Sequence, residues 1–233
     1  MADPTNLFWY SSVAVQFFFC IHLLWTRLAR NHPIFTLYLG CAVIRSLIAM
    51  HYTVAANGAL PLSYTYFWLW SEPLLLLLQI AVALEVHSAM WKEYRDTKIP
   101  AKMLLFLSLV AAIAFAAVPL KAELGRFSPI HLRAVMQFEF LAKRYISTLL
   151  AIFLVLSAGV FLVNHRSNWR LSLVRHESML AAYLSIYAIC YLVVEMGWWK
   201  TPLVNHYMLS ALTLCCVVWI SVFRPQQQAL PGN

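Results

Sequence analysis

The chain alternates long apolar runs with short polar breaks. Seven runs are long enough to cross a bilayer, at roughly 7–28, 34–56, 64–90, 102–120, 142–163, 177–199 and 204–223. A spanning helix needs about 20 residues at 1.5 Å each to cover ~30 Å of hydrocarbon. The breaks carry Pro33, Asn57-Gly58 with Pro61, Pro100, Pro202 and Pro225, which end helices and start turns. The pattern predicts an all-α fold: a single bundle of seven transmembrane helices over 1–224, with a disordered polar tail at 225–233.

Composition agrees. Of 233 residues, 62% are hydrophobic and only 11% charged, with a mean hydropathy of +0.72. Soluble domains carry roughly 25% charged residues, and one of this size could not hide so much apolar surface. Lipid is the expected solvent.

The net charge of +8 does not point to nucleic acid, because the basic residues fall between apolar runs and not on one soluble face. Their distribution orients the chain. With the N-terminus outside, the inner side holds ten: Arg27, Arg30, Lys92, Arg95, Lys98, Lys102, Arg166, Arg170, Arg175 and Arg224. The outer side holds six: Lys121, Arg126, Arg133, Lys143, Arg144 and Lys200. The bias predicts N-out and C-in, in a cell inner (plasma) membrane. MADPTNLFWY lacks a positive n-region and Arg27 and Arg30 follow the first run, so that run is expected to stay as a helix and not be cleaved as a signal peptide. Trp9, Trp70 and Trp198 fit an outer aromatic belt, and Trp25, Trp91 and Trp219 an inner one.

The five cysteines, Cys20, Cys41, Cys190, Cys215 and Cys216, lie inside apolar runs without a CxxC pair. Neither a disulfide framework nor a thiolate metal site is expected.

One stretch breaks the scheme. Residues 127–145 mix apolar side chains with His131, Arg133, Glu139, Lys143 and Arg144. Glu139 and Lys143, four apart, support a helix. It either lies on the outer interface or extends the fifth span above it.

An ionisable residue inside a span costs several kcal/mol unless partnered, so these residues are the default functional candidates. Arg45 stands about 16 Å above the inner start of the second span; Glu72 stands about 12 Å below the outer start of the third, hence ~18 Å above the inner face. The depths agree within a turn, and a short loop makes these spans antiparallel neighbours. They are expected to form an ion pair. Trp68, Glu72, Gln79 and His87 share one face of the third span, whereas Glu85 points elsewhere and is expected to snorkel toward Lys92. Pro73 directly after Glu72 predicts a kink. In the sixth span, Tyr183, Tyr187, Tyr191 and Glu195 recur every fourth residue. Their hydroxyls want partners, so the stripe should face the interior, with Glu195 near Lys200, or Lys143 and Arg144. These polar groups either glue helices together or line a ligand site or polar path.

Four histidines allow a redox alternative. His22 and His87 share the inner half, and His51 and His206 the outer half, as bis-histidine haem b would require. No cofactor is otherwise expected. The run Arg170, Arg175, His176 and Glu177 looks like a solvated helix start facing anionic lipid. HExxH, GxSxG, P-loop and GxGxxG motifs are missing, and the seventh span has no lysine for a retinal Schiff base.

The runs YFWLWSEPLLLLLQIAVALEVH and SMLAAYLSIYAICYLVVE resemble those of a family of uncharacterised bacterial seven-helix membrane proteins. The layout is also loosely similar to the seven-helix sensor modules that precede bacterial histidine kinases. That resemblance implies a non-catalytic sensor, or a ligand- or partner-binding module. With no output domain before Asn233, a membrane or cytoplasmic signalling partner would carry the signal. The alternatives are a haem- or quinone-binding electron-transfer subunit and a small transporter or proton pathway along Arg45, Glu72 and Glu195. A lipid-modifying enzyme lacks a nucleophile–base pair.

Overall fold

The computed structural model describes residues 4–55, 62–90, 110, 132–164, 171–196 and 201–222. Among these the chain is helical, without strands. Six long helices follow one another: α1 (Pro4–Trp25), α2 (Pro33–Ala55), α3 (Leu62–Met90), α4 (Leu132–Asn164), α5 (Leu171–Glu195) and α6 (Thr201–Val222). All six are long and apolar enough to cross a membrane. They coincide with six of the seven expected spans; the seventh, 102–120, lies almost wholly outside the described residues, as does the 225–233 tail.

Proline sets several starts. Pro4 and Pro33 open α1 and α2, where the missing N–H costs nothing and the fixed φ already suits a helix. Between them the chain turns through Arg27 in the left-handed region (φ 59°) and a single 3-10 turn, Leu28–Arg30. The first helix therefore stops at Trp25, short of the expected 28. Pro73 sits inside an unbroken α3 of 29 residues.

Residues 132–141 continue directly into the following span, so α4 is one helix of 33 residues. It is the extension of the two alternatives, and no separate interfacial helix forms over 132–145. At 1.5 Å per residue it measures about 50 Å, some 20 Å more than the hydrocarbon needs.

Neighbour contacts close a ring α1–α2–α3–α5–α6–α1, and α4 packs against α3 and, most extensively, α5. The core is a stack of large apolar groups with Trp219, Phe19, Phe35, Leu23, Leu39, Leu184 and Leu212 fully enclosed. Phe19, Phe35 and Trp219 meet ring to ring at 4.8–5.5 Å, near the tilted and edge-on geometries that aromatic quadrupoles favour.

Only 22–44% of each spanning window is buried inside the protein. The outward surface is nonetheless apolar: Trp25 is 87% exposed, Trp70 78% and Leu77 64%. A water-facing surface of that kind would associate at once. Acyl chains are the medium that suits it.

Candidate functional site

Two polar clusters are enclosed by these apolar walls. The first is built on Glu72 of α3. Its Oε2 accepts from Nη2 of Arg45 on α2, and its Oε1 accepts from the Lys143 ammonium on α4. Arg45 and Glu72 are thus the pair expected from their depths. Lys143 is the addition. In the sequence it stands at a span boundary four residues after Glu139, and its natural partner there is that glutamate. In the fold it crosses to α3, and Oε2 of Glu139 is buried without a hydrogen-bond partner among the described residues. The cause is reach: the four-carbon stem of lysine carries its charge several ångströms along the helix from its Cα.

Arg45 is held on three sides. Its Nε–H donates to Oγ of Ser71 at 2.9 Å, and that hydroxyl donates on to the Trp68 carbonyl at 3.2 Å. The guanidinium plane lies over the Trp68 ring at 3.8 Å, a cation–π contact strengthened by poor solvation. Ser71, unremarkable in the sequence, is a neighbour of the pair that depth counting alone does not reveal.

The tyrosine stripe of α5 completes the wall. Tyr183 is buried, and Tyr187 and Tyr191 half-buried. Hydroxyls of Tyr183 and Tyr187 are 3.5 Å apart, and the Tyr187 and Tyr191 rings stack at 6.0 Å. The Lys143 ammonium stands 5.0 Å from the Tyr187 ring centre and 5.6 Å from that of Tyr191. The side chain of Glu195, the fourth member of the stripe, lies outside the described residues.

A cavity of about 80 Å³ opens among these groups, lined by Tyr38, Arg45, Glu72, Gln79, Lys143, Tyr183 and Tyr187 and closed by α1 through Trp9, Ser12 and Gln16. The polar volume has room for a few water molecules or one small ligand group. Of the expected polar residues, Arg45, Glu72, Gln79, Tyr183 and Tyr187 meet here, together with Tyr38 and Lys143.

The second cluster lies near the start of α2. Glu85 does not snorkel out to the boundary: its Oε1 and Oε2 accept the backbone N–H groups of Ile34 and Phe35, each at 2.9 Å. A helix leaves its first N–H groups without intrahelical partners and carries a positive dipole end there, so a carboxylate from a neighbouring helix is a suitable cap. His176 and Glu177 correct the solvated-start reading. They are 1% and 0% exposed, enclosed because the start of α5 packs on Phe35 and Trp219. The Trp219 indole N–H donates to Nδ1 of His176 at 2.9 Å, and the His32 ring meets that of His176 at 4.6 Å. Arg175 alone of the run's described side chains is exposed.

The histidines of the haem alternative lie on four different helices. His87 Nδ1 is 2.9 Å from Oγ of Ser157, His206 packs on Phe8 and His51 on Tyr52, while His22 offers its carbonyl to the Thr26 hydroxyl. Among the described residues no group of three His, Cys, Asp or Glu side chains is placed to hold a metal ion.

Compared with known proteins, the chain matches no protein family, no curated protein and no solved structure.

Proposed function

We propose that this protein is a non-catalytic ligand-binding module of a cell membrane, with its site in the cavity between α2, α3, α4 and α5. The seven-span, N-out arrangement expected from the charge bias belongs to the same reading. One observation supports it above the rest. Arg45, Glu72 and Lys143 come from three different helices and converge on an open polar volume, where a merely structural ion cluster would be packed solid. All six described helices contribute to its lining, so a ligand seated there can change how they pack. Transmission to a membrane or cytoplasmic partner follows from such a change.

The test is occupancy. The full chain, purified in mild detergent, is analysed by mass spectrometry for retained small molecules and screened for thermal stabilisation by a panel of neutral and charged compounds. Ala42, which lines the cavity, is replaced by Leu to fill it. Stabilisation by at least one compound, lost in Ala42→Leu, is the expected result. A protein that retains nothing and responds to nothing in the panel does not have this function.

A further inference from the structure

We propose that the cavity ligand is an oxyanion, a carboxylate or phosphate group of a few heavy atoms held between Arg45 and Lys143. The inference rests on the ligand-binding reading above and adds the chemical class.

The argument is an inventory of charges and hydrogen-bonding groups. Arg45 brings five N–H donors and Lys143 three, and neither has an acceptor. The one carboxylate lining the cavity, Glu72, has committed one oxygen to each cation. Arg45 uses Nε on Ser71 and Nη2 on Glu72. Two positive charges therefore face one negative charge in a medium where an excess charge is costly. Further groups able to donate line the space: the Trp9 indole, the Gln79 amide and the Tyr38 phenol, while the Gln16 amide nitrogen already donates to Ser12 and the Tyr183 hydroxyl pairs with that of Tyr187. A site with two cations and one carboxylate, whose amides and hydroxyls can donate as well as accept, is complementary to an anion with oxygen acceptors.

Glu139 is the other described carboxyl near the cluster. Burial, and then the charge of Glu72, raise its pKa to about 7, which opposes its ionisation beside the cluster. The volume limits the polar part of the ligand to something the size of a carboxylate or phosphate. Leu75, Leu76, Leu209 and Leu212 on the same walls suit an apolar attachment.

The experiment uses the full chain in phosphatidylcholine nanodiscs, with octanoate, octanamide and inorganic phosphate as probes. Trp9 and Trp68 at the site supply a fluorescence signal, and native mass spectrometry counts the bound probe. Octanoate is expected to bind saturably and about tenfold tighter than octanamide, the difference a charge-assisted contact makes. Lys143→Gln should weaken octanoate about tenfold and leave octanamide unchanged. Should that variant fail to fold, the comparison of the two probes on the unaltered chain decides alone. Equal binding of octanoate and octanamide overturns the anion and leaves the ligand-binding reading standing. Repeating the titration in dodecyl maltoside, which carries no phosphate, separates the sources. Octanoate binding that appears or tightens there identifies a lipid headgroup as the competing occupant, and unchanged octanoate binding a free carboxylate. Absence of saturable binding by both octanoate and phosphate in both media also overturns the anion.

Discussion

The indole N–H of Trp219 on α6 donates to Nδ1 of His176 on α5, with both side chains about 1% exposed. The accepting nitrogen carries no proton, so the bond fixes the neutral tautomer with hydrogen on Nε2. Trp219→Phe keeps an aromatic ring against Phe19 and Phe35 but removes the donor and leaves a small void. The expected loss is about 1–3 kcal/mol of stability. It should appear as a lower unfolding temperature in detergent, and a double-mutant cycle with His176→Leu should show coupling between the two sites. Purely additive effects would mean the hydrogen bond contributes nothing.

Glu72→Gln leaves two cations facing a single amide oxygen. Breaking one side of a buried ion cluster costs about 3–5 kcal/mol, because the partners stay desolvated. The variant should insert and fold poorly. Adding Arg45→Met to it should recover part of the loss, which expression yield and thermal unfolding of the single and double variants would measure.

Glu85→Gln can still cap α2 but with one accepting oxygen where there were two, and without charge at the dipole end. A loss of about 1–2 kcal/mol is expected. Faster hydrogen exchange should be confined to the first turn of α2, at Ile34 and Phe35. Unchanged protection at those two amides would argue that the cap is unimportant.

Two groups outside the spanning segments give opposite pH dependences. Burial lowers the His32 pKa from 6.5 to about 4. The unfolded chain then binds the extra proton between those values, so stability is lost as pH falls from about 6.5 to about 4. Glu139 is raised from 4.5 to about 7. Here the folded chain holds the proton, and stability is lost as pH rises through that window. Unfolding temperature against pH should flatten on the acid side in His32→Asn, and toward neutrality in Glu139→Gln. If neither variant alters the profile, both burial effects are absent in solution.

The sequence discloses some of this and hides the rest for identifiable reasons. Arg45 and Glu72 were legible because depth along a spanning helix is residue count times rise, and a short loop fixes which helices are neighbours. The tyrosine stripe was legible because a spacing of four keeps hydroxyls on one face. Lys143 was not, since a flexible stem decouples its charge from its backbone depth. Glu85 was not, because its partners are backbone N–H groups of Ile34 and Phe35, which leave no trace in side-chain pattern. His176 and Glu177 misled because charged residues at the head of an apolar run resemble a solvated end. Only the lateral packing of Phe35 and Trp219 shows them enclosed.

Glu85 grips α2 at its first turn, and Glu72 grips it again at Arg45, eleven residues on from Ile34 and so about 16 Å away. A rod fastened to its neighbour at two separated points can neither slide nor swivel against it. α2 and α3 therefore travel as one plank. A rearrangement among the described helices then falls to the other seams of the ring, where α1 meets α2, α3 meets α5, α5 meets α6 and α6 meets α1.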